Sequence, residues 1–292
     1  MSATLGSAPL SAQSPGILPQ ATHLPASTRA MALGDSYAMG SGHADAVFYH
    51  PGLIARASGF GLDVQRWSAE SSAVAASAAM GWLGGSVAIG LRAMQYGSTL
   101  AGLQTLSTQD PLFQLSATPV SERIATVGYG RDGIMGFDIG VAVDLADVRV
   151  GPDLHNVALL DVGIAREVGP FVVGLTLQDL GEKPILDAGD APARYTLGVG
   201  QYGRPVGPLD VGFAAHLGLD HEEEVRWGGG VEVGYWPIQG RTFVARLGVQ
   251  DVPDGSDASP VTAGFAFWGD DITVEWAFRP FSDADNGGTH RF

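Results

Sequence analysis

The sequence predicts an all-β fold: a transmembrane antiparallel β-barrel of about fourteen strands, led by a short N-terminal helical segment. Three observations predict it. Segment after segment alternates apolar and polar residues, and a period of two sends successive side chains to opposite faces of a strand. The charges within these segments share a face with the glycines, as they would if the apolar face met lipid and the other a lumen. The links between segments alternate short and long, the pattern of tight turns at one rim and longer loops at the other.

Bulk composition agrees. Hydrophobic residues make up 45% of the 292, yet no apolar run approaches the roughly 18 residues a membrane helix needs. Apolar surface must therefore be distributed by alternation. The absence of cysteine removes disulfides, thiol nucleophiles and thiolate metal sites. A formal charge of −15, with Lys183 the sole lysine, excludes electrostatic nucleic-acid binding, which needs clustered cations.

Residues 1–26 read as a signal-peptide remnant and flexible connector. Leu5, Ala8, Leu10, Ser11, Ala12 and Gln13 resemble the end of a secretory signal, without its basic start, and a plain flexible tail is the other reading. Ser14 to Pro25 is rich in Pro, Gln and Ser. Within 27–56, Ser27 is placed to cap a helical turn from Thr28 to Leu33 that Gly34 ends. A second short helix, Ala44 to Tyr49, stops at Pro51-Gly52.

The barrel is expected over 57–292. In Ser86–Tyr96, Val87, Ile89, Leu91 and Ala93 oppose Ser86, Ala88, Gly90 and Arg92. In Ile134–Asp144, the apolar face from Met135 to Val143 opposes Asp138 and Asp144. Leu209–Leu219 sets Asp210 and His216 opposite its apolar face; Val225–Tyr235 does so with Arg226 and Glu232. Thr242–Gln250 and Asp271–Arg279 repeat the arrangement. Further strands are expected near Phe60–Arg66, Ala73–Trp82, Ile124–Gly130, Val157–Arg166, Phe171–Gln178, Arg194–Tyr202, Val261–Trp268 and Thr289–Phe292. Short links fall at sites such as Arg131–Gly133, and long ones at Gly97–Pro119 and Ala146–Asn156. A final strand ending on the aromatic Phe292 has the form of a C-terminal barrel-assembly signal, read by the barrel-assembly machinery. Trp67, Trp82, Trp227, Trp236, Trp268 and Trp276, with Tyr96, Tyr195 and Tyr235, lie largely near strand ends, where aromatic side chains anchor at a membrane interface.

The stretch Ser27-Thr-Arg-Ala-Met-Ala-Leu-Gly34, followed by His43-Ala-Asp-Ala-Val-Phe-Tyr-His-Pro-Gly-Leu-Ile-Ala55, resembles the N-terminal block of the PorV/PorQ group of FadL-like outer-membrane barrels. The matching positions are Arg29, Ala30, Met31, Gly34, Asp45, Ala46, Tyr49, Pro51, Gly52 and Leu53. The chain departs from the pattern at His50, where the group has Asn, and lacks an alanine between Pro51 and Gly52. The resemblance implies that 27–56 tucks into the barrel as a plug, with Asp45 and His50 in or near the lumen. It also implies one of two activities, passive passage of hydrophobic small molecules or a scaffold and shuttle role in protein secretion. Neither uses catalytic residues or a cofactor. The implied partners are the lipid bilayer, a hydrophobic ligand or secretion-system proteins, and the implied location is the bacterial outer membrane.

Lumen candidates are Arg29, Asp45, His50, Pro51, Arg92, Asp138, Asp161, Arg194, Asp210, His216, Arg226, Glu232, Arg246, Glu275 and Arg279. Opposite charges pairing to fill the lumen would offset their desolvation; a ligand path is the sharper reading. The seven histidines show no metal-ligand spacing, and a solvated loop accounts for Asp220-His-Glu-Glu-Glu224. One motif points elsewhere. Gly34-Asp35-Ser36 lies in a stretch resembling the first block of Gly-Asp-Ser-Leu esterases, in which Ser36 would be the nucleophile and His290, near Asp285, the base. That family needs crossover helices, a Gly-x-Asn-Asp block and an Asp-x-x-His pair, none of which occurs here. In the barrel reading the same residues are a helix stop and turn.

Overall fold

The computed structural model describes residues 20–37, 39, 42–66, 71–96, 120–150, 153–181, 193–219, 225–238, 241–252, 258–270, 272–281 and 288–292. The strands are β1 (Gly59–Arg66), β2 (Ser72–Trp82), β3 (Gly85–Tyr96), β4 (Val120–Ile134), β5 (Phe137–Val150), β6 (Asp153–Val168), β7 (Phe171–Leu180), β8 (Arg194–Val206), β9 (Leu209–Leu219), β10 (Val225–Ile238), β11 (Arg241–Gln250), β12 (Val261–Trp268), β13 (Thr273–Pro280) and β14 (Gly288–Arg291). Each pairs antiparallel with its neighbour in sequence, and β14 returns to β1 to close a fourteen-stranded barrel. Closure leaves no free sheet edge, the condition for a sheet in hydrocarbon.

The alternation places side chains as expected. Phe60, Ile89, Leu91, Leu247, Phe265 and Val274 point outward and are exposed, while Arg92, Asp138, Asp161, Glu232 and Arg246 are buried on the inner face. Two-residue turns join one rim. Leu83-Gly84 and Met135-Gly136 both have positive φ at the two central residues, the backbone that matches the twist of a tight hairpin.

Three expectations are corrected. The β4–β5 turn lies at Met135-Gly136, not Arg131–Gly133, so Met135 is 93% exposed rather than on an apolar strand face. The Ala146–Asn156 loop is largely strand: β5 and β6 continue the hairpin to Val150 and from Asp153. Its pattern misleads because the polarity inverts. Ala146, Val148, Val157 and Leu159 are buried inside, and Ala146, Val157 and Leu159 join Met94 and Ile124 as an apolar patch on the inner wall. Asp147, Arg149 and Asn156 face out, beyond the apolar belt. Finally, Trp268 and Tyr96 belong to the inner face, not to an interfacial girdle: Trp268 bonds Glu275, and Tyr96 packs against the inner apolar patch. Trp67, also expected at the girdle, lies outside the described residues.

The barrel seam is thin. β14 has four residues, and its ladder to β1 consists of Gln65↔Arg291 and Arg66↔His290. A reciprocal pair between Val64 and Phe292 at 2.8 and 2.9 Å extends it.

Candidate functional site

The inside of the barrel is occupied by the N-terminal segment. It comprises 3-10 turns Gln20–His23, Ala44–Phe48 and Pro51–Arg56 and the short helix α1, Thr28–Ala32. Ser27 caps α1, its hydroxyl accepting from the Ala30 amide at 3.1 Å, and Gly34 ends it with a φ of 66°. The Pro51–Arg56 turn has no counterpart among the sequence expectations, and the Ala44–Tyr49 helix is a 3-10 turn.

Glycines on the inner wall make room for this plug. A Cβ on Gly248 would sit 2.1 Å from the Gly34 amide, on Gly230 2.6 Å from the Leu33 Cα, and on Gly264 2.5 Å from the Ala32 Cβ. On the other wall, a Cβ on Gly140 would lie 2.0 Å from the Pro51 carbonyl oxygen and on Gly130 2.3 Å from the Ala55 amide. The glycine-bearing face is thus a docking surface for the plug backbone, shaped for close approach.

Charges then fasten it. Arg29, 3% exposed, pairs with Glu232 and lies over the rings of Tyr202 and Trp268, 4.4 and 5.3 Å from their centroids. Arg246 bonds the other Glu232 oxygen at 3.2 Å and Glu275 at 2.7 Å, and Trp268 donates to Glu275 at 3.4 Å. Two guanidinium groups and two carboxylates so form a neutral buried chain linking α1 to β10, β11 and β13. Burial is the largest single influence on Arg29 and opposes its charge, but Glu232, Tyr202 and Glu275 together outweigh it and hold the guanidinium above its ordinary range.

Other contacts tie down both ends of the segment. Asp63 accepts from the Thr28 amide and hydroxyl, each at 2.6 Å. Arg291 donates to the carbonyls of Pro25 and Ala26, and Tyr49 accepts from the Ala26 and Ser27 amides at 2.6 and 2.9 Å. Arg92 donates to the Ala21 carbonyl at 3.0 Å and stacks on Phe48; Glu122 accepts from the Ala21 amide at 2.7 Å. Arg56 pairs with Asp138 at 2.9 Å and with Glu167. Asp45 accepts from Tyr37 at 3.4 Å.

The structure brings most sequence candidates into this network and separates others. Arg226 pairs with Asp251 at 3.3 Å near the rim, and Arg279 donates to the Ser259 carbonyl. Asp210 lies on the inner face of β9 opposite Gly234. Pro51 starts its 3-10 turn against Gly140. Sequence reasoning missed Asp63, Glu122, Glu167, Tyr49 and Arg291; Arg291 was legible in principle, because it alternates with His290 and Phe292 on the last strand.

The esterase arrangement does not form around His290. Its ring lies against Phe278 and Trp276, 4.9 and 6.0 Å between centroids, while Asp285 lies outside the described residues. Ser36 meets His216 instead, Oγ to Nδ1 at 2.8 Å, in a contact that joins the plug to β9. Ser36 is 1% exposed. Beside it, burial pushes the Asp35 carboxyl up to about 7, and its Oδ1 has no hydrogen-bond partner among the described residues.

Two further features line the barrel. A β-bulge at Leu160/Val162 turns both Gln178 and Asp179 toward Asp161, which accepts from the Gln178 side-chain amide at 3.2 Å and the Asp179 backbone at 2.8 Å. Asp144, Asp161 and Asp179 thereby offer carboxylate oxygens within 4.8 Å of one another, a donor set suited to a hard cation, with Arg194 at 3.7 Å from Asp179. At the rim, Trp227, Val252, Pro260, Pro280 and Phe281 line a mostly apolar cleft of about 710 Å³.

No family model and no curated protein matches the sequence. Among solved structures, the chain is similar to the crystal structure of the Pseudomonas putida toluene transporter TodX, with a TM-score of 0.54 over 90% of this chain and 94% of that one, at 10% identity. The likeness is one of fold. The fold they share is, in this chain, a closed fourteen-stranded antiparallel barrel.

Proposed function

We propose that the chain is a bacterial outer-membrane protein through which hydrophobic small molecules pass passively. The observation that carries this is an apolar outer belt closed around a lumen that holds a fitted plug, in a barrel similar to a toluene transporter. The apolar rim cleft supports it, since it offers an oily solute an apolar surface, and the inner wall behind Ala21 and Leu24 is itself apolar at Met94, Ile124, Val157 and Leu159. The plug would set the passage rate, and passage down a gradient would need no energy source. Insertion would rest on the C-terminal strand and the barrel-assembly machinery.

The test is uptake of labelled toluene by cells whose lipopolysaccharide layer is intact, with and without the barrel. Faster uptake with the barrel is expected; equal rates would sink the reading. A scaffold or shuttle role in protein secretion, as in PorV relatives, is the second reading, favoured by how many contacts hold the plug in place. Recovery of the barrel with no partner after crosslinking in native membranes would count against it.

A further inference from the structure

His50 puts an ionisable imidazole into the plug, at the residue before the Pro51–Arg56 turn. It is buried, at 4% exposure, and neither ring nitrogen has a hydrogen-bond partner among the described residues. The ring lies on backbone rather than on polar side chains. A Cβ on Gly174 would sit 2.2 Å from Nε2, and one on Gly163 would sit 3.1 Å from Nδ1. Met39 closes the same spot, its Cε 2.8 Å from that Gly174 position. His50 also starts the Pro51–Arg56 turn, its carbonyl accepting from the Leu53 amide at 2.9 Å. The ring is therefore packed where the plug meets β6 and β7, with no side-chain acceptor at either nitrogen among the described residues.

We propose that His50 makes the seat of the plug acid-sensitive: protonation of the imidazole drives the His50–Arg56 turn off its glycine bed on β5, β6 and β7. An imidazolium carries two N–H donors, and no side chain among the described residues accepts from either ring nitrogen. The charged groups on the surrounding elements are engaged elsewhere. Asp138 on β5 and Glu167 on β6 hold Arg56, Glu122 on β4 accepts from the Ala21 amide, Asp144 on β5 accepts from the Thr126 hydroxyl, and Asp161 on β6 accepts from Gln178 and Asp179. Arg92 on β3 holds the Ala21 carbonyl, Asp179 on β7 faces Arg194, and Asp45 within the plug accepts from Tyr37. Asp35 sits on the Gly34 turn, against the opposite wall.

Burial holds the His50 imidazole down at about 4, against 6.5 in water. The sign follows from linkage. Above pH 6.5 both the seated and the released turn carry a neutral ring, and seating is unaffected. Between 6.5 and 4 only the released turn gains the proton, so seating weakens as pH falls, by about 30-fold at pH 5. What the barrel carries has no bearing on this response.

Hydrogen–deuterium exchange of residues 50–57 in the full chain, in detergent, tests it at matched pH against His50→Asn and His50→Gln. After correction for the intrinsic exchange rate, wild-type protection relative to that of the variants should fall about 30-fold from pH 7.5 to 5, since groups other than His50 titrate alike in all three proteins. The comparison is of pH profiles, so a loss of packing in a variant does not obscure it. Equal profiles in wild type and variants would overturn the proposal. So would an NMR titration of histidine-labelled protein that placed the His50 midpoint near 6.5; a midpoint below 5 is expected.

Discussion

Glu232 holds two guanidinium groups out of water at once, Arg29 from the plug and Arg246 from the wall. Removing its charge strands both. Glu232→Gln should cost about 3–5 kcal/mol, the range for breaking a buried ion pair from one side. Thermal unfolding in detergent would read the loss, which should exceed that of Arg226→Gln at the half-exposed Asp251 pair. Asp35 works against its surroundings. Its carboxyl is raised to about 7 by burial, so seating is penalised progressively as pH rises from about 4 to 7. Asp35→Asn should therefore protect residues 28–37 from exchange at pH 8 relative to wild type, and make no difference at pH 4. Neither residue's role could be read from sequence. Glu232 was legible as an inner-face charge, but Arg29 lies 203 positions away, and only the closed barrel brings them together.

At the scale of elements, alternation located nearly every strand, because lipid outside and plug inside impose opposite demands on alternate residues. It failed where those demands reverse. Beyond the apolar belt, Asp147 and Arg149 turn to water while Val148 packs inside, so the far half of the β5–β6 hairpin reads as a loop. The glycines were visible as a polar-face signature, but their reason was not: they clear space for plug backbone. Gly140→Val and Gly248→Val should each unseat the plug without opening the barrel. Heat-modifiable gel mobility would stay normal while protease gained access to residues 27–56. Gly218→Ala is the control, since a Cβ there meets nothing nearer than 3.5 Å.

For the whole molecule, the weakest joint is the seam. β5 and β6 share thirteen register pairs from Asp138↔Ala165 to Val150↔Asp153, whereas β14 meets β1 at two. Opening free energy follows such local pairing. Amide exchange should accordingly be fastest, among the strands, in β1 and β14, and slowest in β5 and β6; uniform exchange around the barrel would contradict this. Asp63 and Arg291 flank the seam and both grip the plug.

That grip has a temporal side. Arg291, one residue from Phe292, clasps the carbonyls of Pro25 and Ala26, so an early stretch of the growing polypeptide waits on a much later one. Until the last ribbon arrives, the leading segment has no clasp at that point; when it does, enclosure and fastening become a single event.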